Sequence, residues 1–307
     1  MKTLAESLAD YLALRRSLGY KLERAAKLLA QFVGYLAAIG AETVTVEAAL
    51  SWATQPRGAD KSWWANRLSV VRGFARYLHT IDPATEVPAA DLLPARSRRA
   101  TPYLYSDNDI AALLAAAAAL HSPLRVATYR TLIALLAVSG LRVGEAMRLD
   151  RSDLDLARGV LLVRDSKFGK SREVPLHPST AAALHRYLGR ADRPRPAATP
   201  ALFISSAGTR LRYCNVQWTF ARLVRRAGLA ARSGSCRPRL HDLRHTFAVR
   251  AVLDGYTSGA DVQARLPLLS TYLGHVDPAA TYWYLSAAPE LLALAGERLA
   301  AHLGQRP

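Results

Sequence analysis

Apolar residues recur every three or four positions along the first 90 residues, which is the spacing of amphipathic helices. Two apolar faces stand out, first Leu4, Leu8, Tyr11 and Leu12, and then Leu22, Ala26, Leu29, Val33 and Leu36. Gly19 and Gly40 punctuate these segments, and further helical patterns follow near residues 45–54 and 61–79. The pattern therefore predicts a small helical bundle at the start of the chain.

Helix-start and helix-stop signals mark a second helical region. Ser106, followed three residues later by Asp109, forms a capping sequence ahead of a long run of alanine and leucine. Ser122 and Pro123 are typical of a helix cap and a first helical residue, and Gly140 is typical of a helix end. We therefore expect two successive helices in this part of the chain.

The periodicity changes between residues 149 and 177. The segments VLLVR at 160–164 and REVPL at 172–176 are short strand-like runs, joined by a polar, glycine-containing connection at 165–171. Such an arrangement predicts an antiparallel hairpin. Because helical patterns resume near 179–189, the expected fold class is mostly α with a small antiparallel β-sheet.

Prolines and arginines interrupt the helical pattern between residues 82 and 104. The basic residues of this segment include Arg96, Arg98 and Arg99. An extended basic segment is suited to run along a DNA backbone, so we interpret these arginines as candidate DNA contacts. The chain is expected to consist of an N-terminal helical domain over 1–90, a basic linker over 91–104 and a second domain over 105–307, whose last part is a short amphipathic helical tail.

Composition adds a strong positive charge to this picture. Lys and Arg number 41 against 24 Asp and Glu, which gives a formal net charge of +17 and favours nucleic acid, ahead of an anionic membrane, as the partner. Cys214 and Cys236 have no CxxC spacing, so neither a disulfide framework nor a zinc ribbon is indicated. No apolar run approaches the roughly 18 residues of a membrane span, and the N-terminus reads as an amphipathic helix. We therefore expect a soluble cytoplasmic protein. The positive charge alone is also compatible with a basic protein that has no related catalytic activity.

Basic and aromatic side chains share the predicted helix 61–79. The basic residues are Lys61, Arg67, Arg72 and Arg76, and the aromatic ones are Trp63, Trp64, Phe74 and Tyr77. Arginines on such a helix can hold phosphates while the rings pack the bundle. The alternative is a cationic surface over an aromatic core without any DNA contact.

Two further segments place cations at turns. Arg142 follows a predicted helix end, where its side chain can be aimed at an anion, and Glu145 lies close enough to support it. Lys167 and Lys170 lie at the predicted hairpin tip, where a flexible ammonium can reach a leaving oxygen. The alternative for Arg142 and Glu145 is an ordinary helical ion pair, and the alternative for Lys167 and Lys170 is that they are ordinary exposed lysines.

A helix with two histidines and an arginine follows in the segment LHDLRHTFAVR at 240–250. His241 and Arg244 lie three residues apart and share a face, so both can address one phosphate. His241 and His245 also have a zinc-binding spacing, but the metalloprotease pattern needs Glu where Asp242 stands. A metal site is therefore not expected.

The segment YLGHVDPAATYWYL at 272–285 combines a histidine at a turn with two tyrosines. Gly274 is predicted to end a helix, which leaves His275 in the connection to the next one. Tyr282 and Tyr284 lie two residues apart on that next helix and point to nearly opposite sides. Only one of them can face a shared site.

Taken in order, these residues closely resemble the tyrosine recombinases of the phage integrase family. The ordered set is Arg142 with Glu145, Lys167, His241, Arg244, His275 and Tyr284. The resemblance covers most of 105–290 and implies an α+β catalytic domain preceded by a helical, DNA-clamping core-binding domain. The family spacing from His275 selects Tyr284 as the nucleophile. The stretch between Arg244 and His275 looks longer than in compact members.

The resemblance implies a DNA-cleaving and rejoining enzyme without metal ion or cofactor. Arg142 and Arg244 would grip the phosphate with help from His241 and His275, Tyr284 would attack it, and Lys167 would protonate the departing 5′ oxygen. The implied partners are double-stranded DNA with specific recombination sites and further copies of the chain, with a tetramer in the synapse.

Two other readings share part of this evidence. A type IB topoisomerase has the same active-site logic but relaxes supercoils, and a catalytically silent DNA-binding protein could use the same scaffold. The complete residue set argues against the silent protein, because binding alone does not need Tyr284. A metal-dependent nuclease is the weakest reading, since its acidic ligands do not assemble.

Overall fold

The computed structural model describes residues 2–94, 100–166, 169–194 and 199–275, together with 277, 281, 282 and 296. The chain divides into two compact units, Met1–Arg99 and Ala100–Pro307, and the division falls within the predicted linker. The linker residues Arg96, Arg98 and Arg99 lie outside the described part. Among the helices that are described, none is long and apolar enough to cross a membrane.

Four helices form the described part of the first unit, residues 2–94. They are α1 (Leu4–Ser17), α2 (Glu23–Ala38), α3 (Val46–Thr54) and α4 (Lys61–His79). Local caps explain where two of them begin, because the side chains of Thr45 and Asp60 accept backbone N–H groups at 3.1 and 2.7 Å. Their inward faces form one apolar core around Phe32, Trp52 and Phe74.

The second unit is built mainly from seven helices in its described part. They are α5 (Asp107–Ala117), α6 (Pro123–Ser139), α7 (Val143–Arg148), α8 (Pro178–Leu188), α9 (Tyr213–Arg226), α10 (Asp242–Thr257) and α11 (Val262–Leu273). The predicted caps are present, since Ser106 and Asp109 form a capping box and Ser122 accepts the N–H of Arg125 at 3.2 Å. The stretch between Arg244 and His275 that looked long is the rest of α10 together with α11.

A small antiparallel sheet lies beside these helices. Its strands are β1 (Leu154–Asp155), β2 (Val160–Val163) and β3 (Arg172–Pro175), in the order β1-β2-β3. Val163 pairs with Arg172, and the buried side chains of Leu161 and Val174 face the core. The predicted hairpin is therefore confirmed, and the two-residue strand β1 adds to it. The fold class is mostly α with a three-stranded antiparallel sheet.

Gly140 fixes how α6 meets α10. It ends α6 with a left-handed φ of 59°, a conformation that suits glycine. A Cβ at this position would lie 2.4 Å from the ring of Phe247 on α10, so a side chain would force the two helices apart. The turn that carries Arg142 is thereby held against α10.

Candidate active site

Arg142 directly precedes α7 as its N-cap residue and is held by the carboxylate of Glu145. Its backbone N–H donates to Glu145 Oε2 at 3.0 Å, and its Nη1 donates to Glu145 Oε1 at 2.7 Å. Its Nη2 also donates to the carbonyl oxygen of Gly274 at 3.1 Å. The contact between Arg142 and Glu145 expected from their spacing is present, and it fixes the direction of the guanidinium.

A second arginine, which sequence reasoning missed, contacts the same carboxylate. Arg172 on β3 donates from Nη2 to Glu145 Oε2 at 2.9 Å and from Nη1 to Glu145 Oε1 at 3.3 Å. Burial raises the pKa of Glu145, but the hydrogen bonds and charge of Arg172 and the hydrogen bonds of Arg142 outweigh it and bring the pKa to about 2. Glu145 is therefore a carboxylate shared by two guanidinium groups.

The sequence did contain a signal for Arg172. Alternate residues of a strand face the same side, so Arg172 shares a face with Val174, which is fully buried. An arginine on the core side of a strand needs a buried partner, so its position on this strand could have identified Arg172 as a candidate site residue.

Arg244 lies in the first turn of α10 and is only 2% exposed. Its Nη1 donates to the carbonyl of Gly140 at 2.8 Å, and its Nη2 donates to the carbonyl of Leu273 at 2.7 Å. The start of α10 is fixed by Asp242, whose buried carboxylate accepts hydrogen bonds from Arg239 Nε and Nη2 at 3.0 and 2.9 Å. This frame sets the direction of Arg244.

The end of α11 brings the three arginines together. Three successive carbonyls accept from three different side chains, Tyr272 from Arg172 at 2.8 Å, Leu273 from Arg244 at 2.7 Å, and Gly274 from Arg142 at 3.1 Å. The last carbonyls of a helix lack partners within the helix and carry partial negative charge, so cations are favourable there. One helix end thus gathers residues that lie far apart in the sequence.

His241 borders this cluster at the surface. Its ring packs edge-on against His245, with ring centroids 4.7 Å apart. Crowding of the ring by protein atoms, followed by the positive charges of Arg244 and Arg142, lowers the pKa of His241 to about 4. Although part of the residue is exposed, both effects favour the uncharged ring, so His241 is neutral at pH 7.

His275 follows directly on the α11 end. Gly274 ends the helix with a φ of 68°, as predicted, and the N–H of His275 donates to the carbonyl of Ser270 at 2.9 Å. Its Nδ1 lies 2.6 Å from the hydroxyl oxygen of Thr281. Tyr282 is 53% exposed, whereas Lys167 and Tyr284 lie outside the described residues. The structure therefore brings Arg142, Glu145, Arg244 and His275 around one helix end.

The candidate DNA contacts of α4 divide into two groups. Lys61 and Arg76 are exposed, as is Lys170 near the hairpin tip. Arg72 instead donates to the carbonyls of Pro88 and Ala89, both at 2.7 Å. Its guanidinium thus ties the following segment to α4.

The prediction that Arg67 contacts DNA is wrong. It is 7% exposed, donates to the carbonyl of Trp52 at 2.7 Å, and stacks over the Trp52 ring at 3.7 Å from the centroid. Both contacts lie within the apolar core of the first unit, so this guanidinium stabilises the bundle, and Arg67, unlike Arg244, is not part of the family's ordered residue set. We therefore remove Arg67 from the candidate DNA-binding set.

Comparisons with known proteins agree with this geometry. Residues 104–290 match the phage integrase family. The chain is 45% identical over 306 residues to the integrase/recombinase y4rB of Sinorhizobium fredii, covering 97% of this chain and 98% of that protein. It is 33% identical over 220 residues to the tyrosine recombinase XerC of Azotobacter vinelandii, covering 72% and 68%. The fold of a Tn1549 transposon integrase variant, solved with a circular intermediate DNA, matches with a TM-score of 0.65 at 17% identity, covering 97% and 100%.

The chain therefore belongs to the phage integrase family and is a tyrosine recombinase, an enzyme of site-specific DNA recombination. The family and enzyme class expected from the ordered residue set are confirmed. The matched range agrees closely with the span over which the sequence resembles the family. The roles of individual residues remain predictions.

Proposed function

We propose that this recombinase cleaves and rejoins double-stranded DNA at specific sites, with Tyr284 as the nucleophile and Arg142 and Arg244 as the phosphate-binding residues. The observation that carries this assignment is the gathering of guanidinium groups at the end of α11, directly before His275. Three arginines donate to successive carbonyls of this helix end, but only Arg142 and Arg172 share the carboxylate of Glu145. The cluster therefore keeps a net positive charge, which is suited to a phosphodiester.

The chemistry is a transfer of one phosphodiester bond. A tyrosine hydroxyl with a pKa of ~10 is a poor nucleophile at neutral pH, so the scissile phosphate must be made more electrophilic. Arg142 and Arg244 would neutralise its non-bridging oxygens, and neutral His241 would donate a hydrogen bond. His275 would help to take the tyrosine proton.

Cleavage replaces one bond to phosphorus by another. The bond from Tyr284 Oη to phosphorus forms while the bond from phosphorus to O5′ breaks, and Lys167 gives its proton to the departing oxygen. The products are a 3′-phosphotyrosyl link and a free 5′ hydroxyl. Attack by the hydroxyl of a partner strand reverses the step on new DNA, so no external energy source is required.

The first unit would clamp the duplex, with Lys61 and Arg76 on its exposed surface as candidate phosphate contacts. We propose a homo-oligomer on DNA, with a tetramer in the synapse, which acts in the cytoplasm on nucleoid DNA. Relaxation of supercoils without exchange of partners is the second candidate function. Joining of two separate DNA molecules in a recombination assay distinguishes recombination from relaxation.

A suicide substrate tests the proposal. DNA from the flanks of the enzyme's own gene should trap a covalent adduct with the full-length protein, if a nick lies just 3′ of the scissile phosphate so that the short fragment with the free 5′ hydroxyl is lost. Tyr284→Phe should abolish the adduct and leave DNA binding intact, while the matched variant Tyr282→Phe should retain it. Adducts should also form in EDTA. Loss of the adduct in Tyr282→Phe, but not in Tyr284→Phe, would show that the assignment of the nucleophile is wrong.

A further inference from the structure

We propose that Arg172 is a positioning residue of the active site, which holds Arg142 and the end of α11 in place and keeps the charge of Arg142 available to the phosphate. This inference rests on the proposed function, because it assumes that Arg142 binds the scissile phosphate. The evidence for it is the set of contacts that the Arg172 guanidinium makes.

The Arg172 guanidinium joins three elements of the second unit. It extends from β3, binds Glu145 of α7 through both Nη atoms at 2.9 and 3.3 Å, and donates from Nε to the carbonyl of Tyr272 on α11 at 2.8 Å. Its side chain is 12% exposed. A planar fork of fixed donors can satisfy these directions together, whereas a lysine ammonium is a single point of charge.

The two oxygens of Glu145 are each shared between Arg142 and Arg172. Oε1 accepts from Arg142 Nη1 at 2.7 Å and from Arg172 Nη1 at 3.3 Å. Oε2 accepts from the Arg142 backbone N–H at 3.0 Å and from Arg172 Nη2 at 2.9 Å. Without Arg172, the full charge of this buried carboxylate would act on Arg142 alone and would compete with the phosphate for its guanidinium.

The end of α11 is shaped to admit Arg172. A Cβ at Gly274 would lie 2.9 Å from Arg172 Nη1 and 3.1 Å from its Cζ, so the guanidinium rests directly on the glycine. The carbonyl of the same glycine accepts from Arg142, and His275 follows in the chain. The position of Arg172 is thereby linked to both Arg142 and the histidine turn.

The neighbouring residue of β3 supplies a matched control. Glu173 forms a bidentate ion pair with Arg158, at 3.1 and 3.2 Å, but both side chains are mostly exposed. Exposed pairs of this kind contribute little to stability. Arg158→Gln therefore removes an arginine–glutamate pair from the same sheet without touching the site.

The experiment compares single-turnover cleavage of a suicide substrate by full-length variants. Arg172→Gln should slow cleavage on the order of 100-fold, because displacement of a phosphate-binding group by about 1 Å has that effect. DNA affinity should change little. The unfolding midpoint should fall, because the buried carboxylate of Glu145 loses one of its two partners, so cleavage is compared under conditions where every variant is folded. Arg172→Lys should recover only part of the rate, and Arg158→Gln should cleave like the wild type.

A double variant separates charge competition from a purely structural role. In Arg172→Gln combined with Glu145→Gln, the unbalanced carboxylate is gone and two amides of similar size can pair. This double variant should therefore cleave faster than Arg172→Gln alone. A double variant as slow as Arg172→Gln or slower overturns the inference, as does wild-type activity in Arg172→Gln. Absence of any adduct with the wild-type enzyme would instead contradict the proposed function itself.

Discussion

Arg244 Nη2 donates a hydrogen bond to the carbonyl oxygen of Leu273 at 2.7 Å, from a side chain that is almost closed to solvent. Its Nη1 reaches the carbonyl of Gly140 at the end of α6. One buried cation therefore joins the ends of two helices, where backbone carbonyls with partial negative charge stabilise it. Arg244 thus has a structural role in addition to the proposed binding of phosphate.

Replacement of Arg244 should consequently affect folding as well as cleavage. Arg244→Gln removes donors from two carbonyls inside the protein, and we expect the free energy of unfolding to fall by about 2–4 kcal/mol. Arg244→Lys should lose less stability but still cleave poorly, because one ammonium cannot reproduce the fork. Urea unfolding of the full-length protein measures the first effect, with exposed Arg225→Gln as control. Unchanged stability in Arg244→Gln would contradict the burial argument.

His241 should remain uncharged throughout the physiological pH range. Its pKa is lowered to about 4, whereas an unfolded histidine binds its proton near 6.5, so protonation favours the unfolded state. This contribution therefore reduces stability as the pH falls below about 6.5. NMR titration of the imidazole, assigned with His241→Ala, should show no charge change of His241 between pH 6 and 8.

The same titration tests the cause of the shift. Arg244→Gln removes a positive charge beside His241 and should move its pKa upward, and a bound phosphate analogue should do likewise. A His241 midpoint near 6.5 in the unmodified enzyme would show that the arginines do not control this ring.

Glu145 should make the enzyme acid-sensitive. Its pKa is about 2 in the folded protein against 4.5 ordinarily, so its contribution is fully present above about pH 4.5 and is lost as the pH falls through 2. At 1.36 kcal/mol per pKa unit, this buried group contributes on the order of 3 kcal/mol. The stability difference between wild type and Glu145→Gln should shrink between pH 5 and pH 3. A difference independent of pH would contradict the shared-carboxylate geometry.

Local signals explain what the sequence could predict. Helix ends at Ser122, Pro123 and Gly140 depend on neighbouring residues alone, and so does the hairpin. The contact between Arg142 and Glu145 spans one helical turn and follows from spacing. The ordered residue set then predicted the family, which no single motif could have given and which the comparisons confirm.

Long-range contacts explain what was missed or misread. Arg172 contacts Glu145 and Tyr272, which lie 27 and 100 residues away. The strand pattern indicates that Arg172 needs a buried partner, but no local pattern identifies that partner. Arg67 is a different case, because its helical period places it on the same face as Val71 and Phe74, both fully buried. The period indicated burial, and the basic character of the helix was given too much weight.

The correction at Arg67 leads to opposite expectations for two arginines of α4. Arg67→Ala removes a buried hydrogen bond to Trp52 and a stacked cation, so the first unit should lose about 1–3 kcal/mol of stability. Exposed Arg76→Ala should change stability by less than about 0.5 kcal/mol.

The salt dependence of DNA binding should also distinguish the two arginines. If Arg76 contacts phosphate, its removal should reduce the salt slope of DNA binding by about 1. Arg67→Ala should leave that slope unchanged under conditions where the protein is folded. Urea unfolding followed by tryptophan fluorescence, together with DNA binding at several salt concentrations, measures both. A reduced salt slope in folded Arg67→Ala, without loss of stability, would restore Arg67 as a DNA contact, because a buried structural cation releases no counterions from DNA.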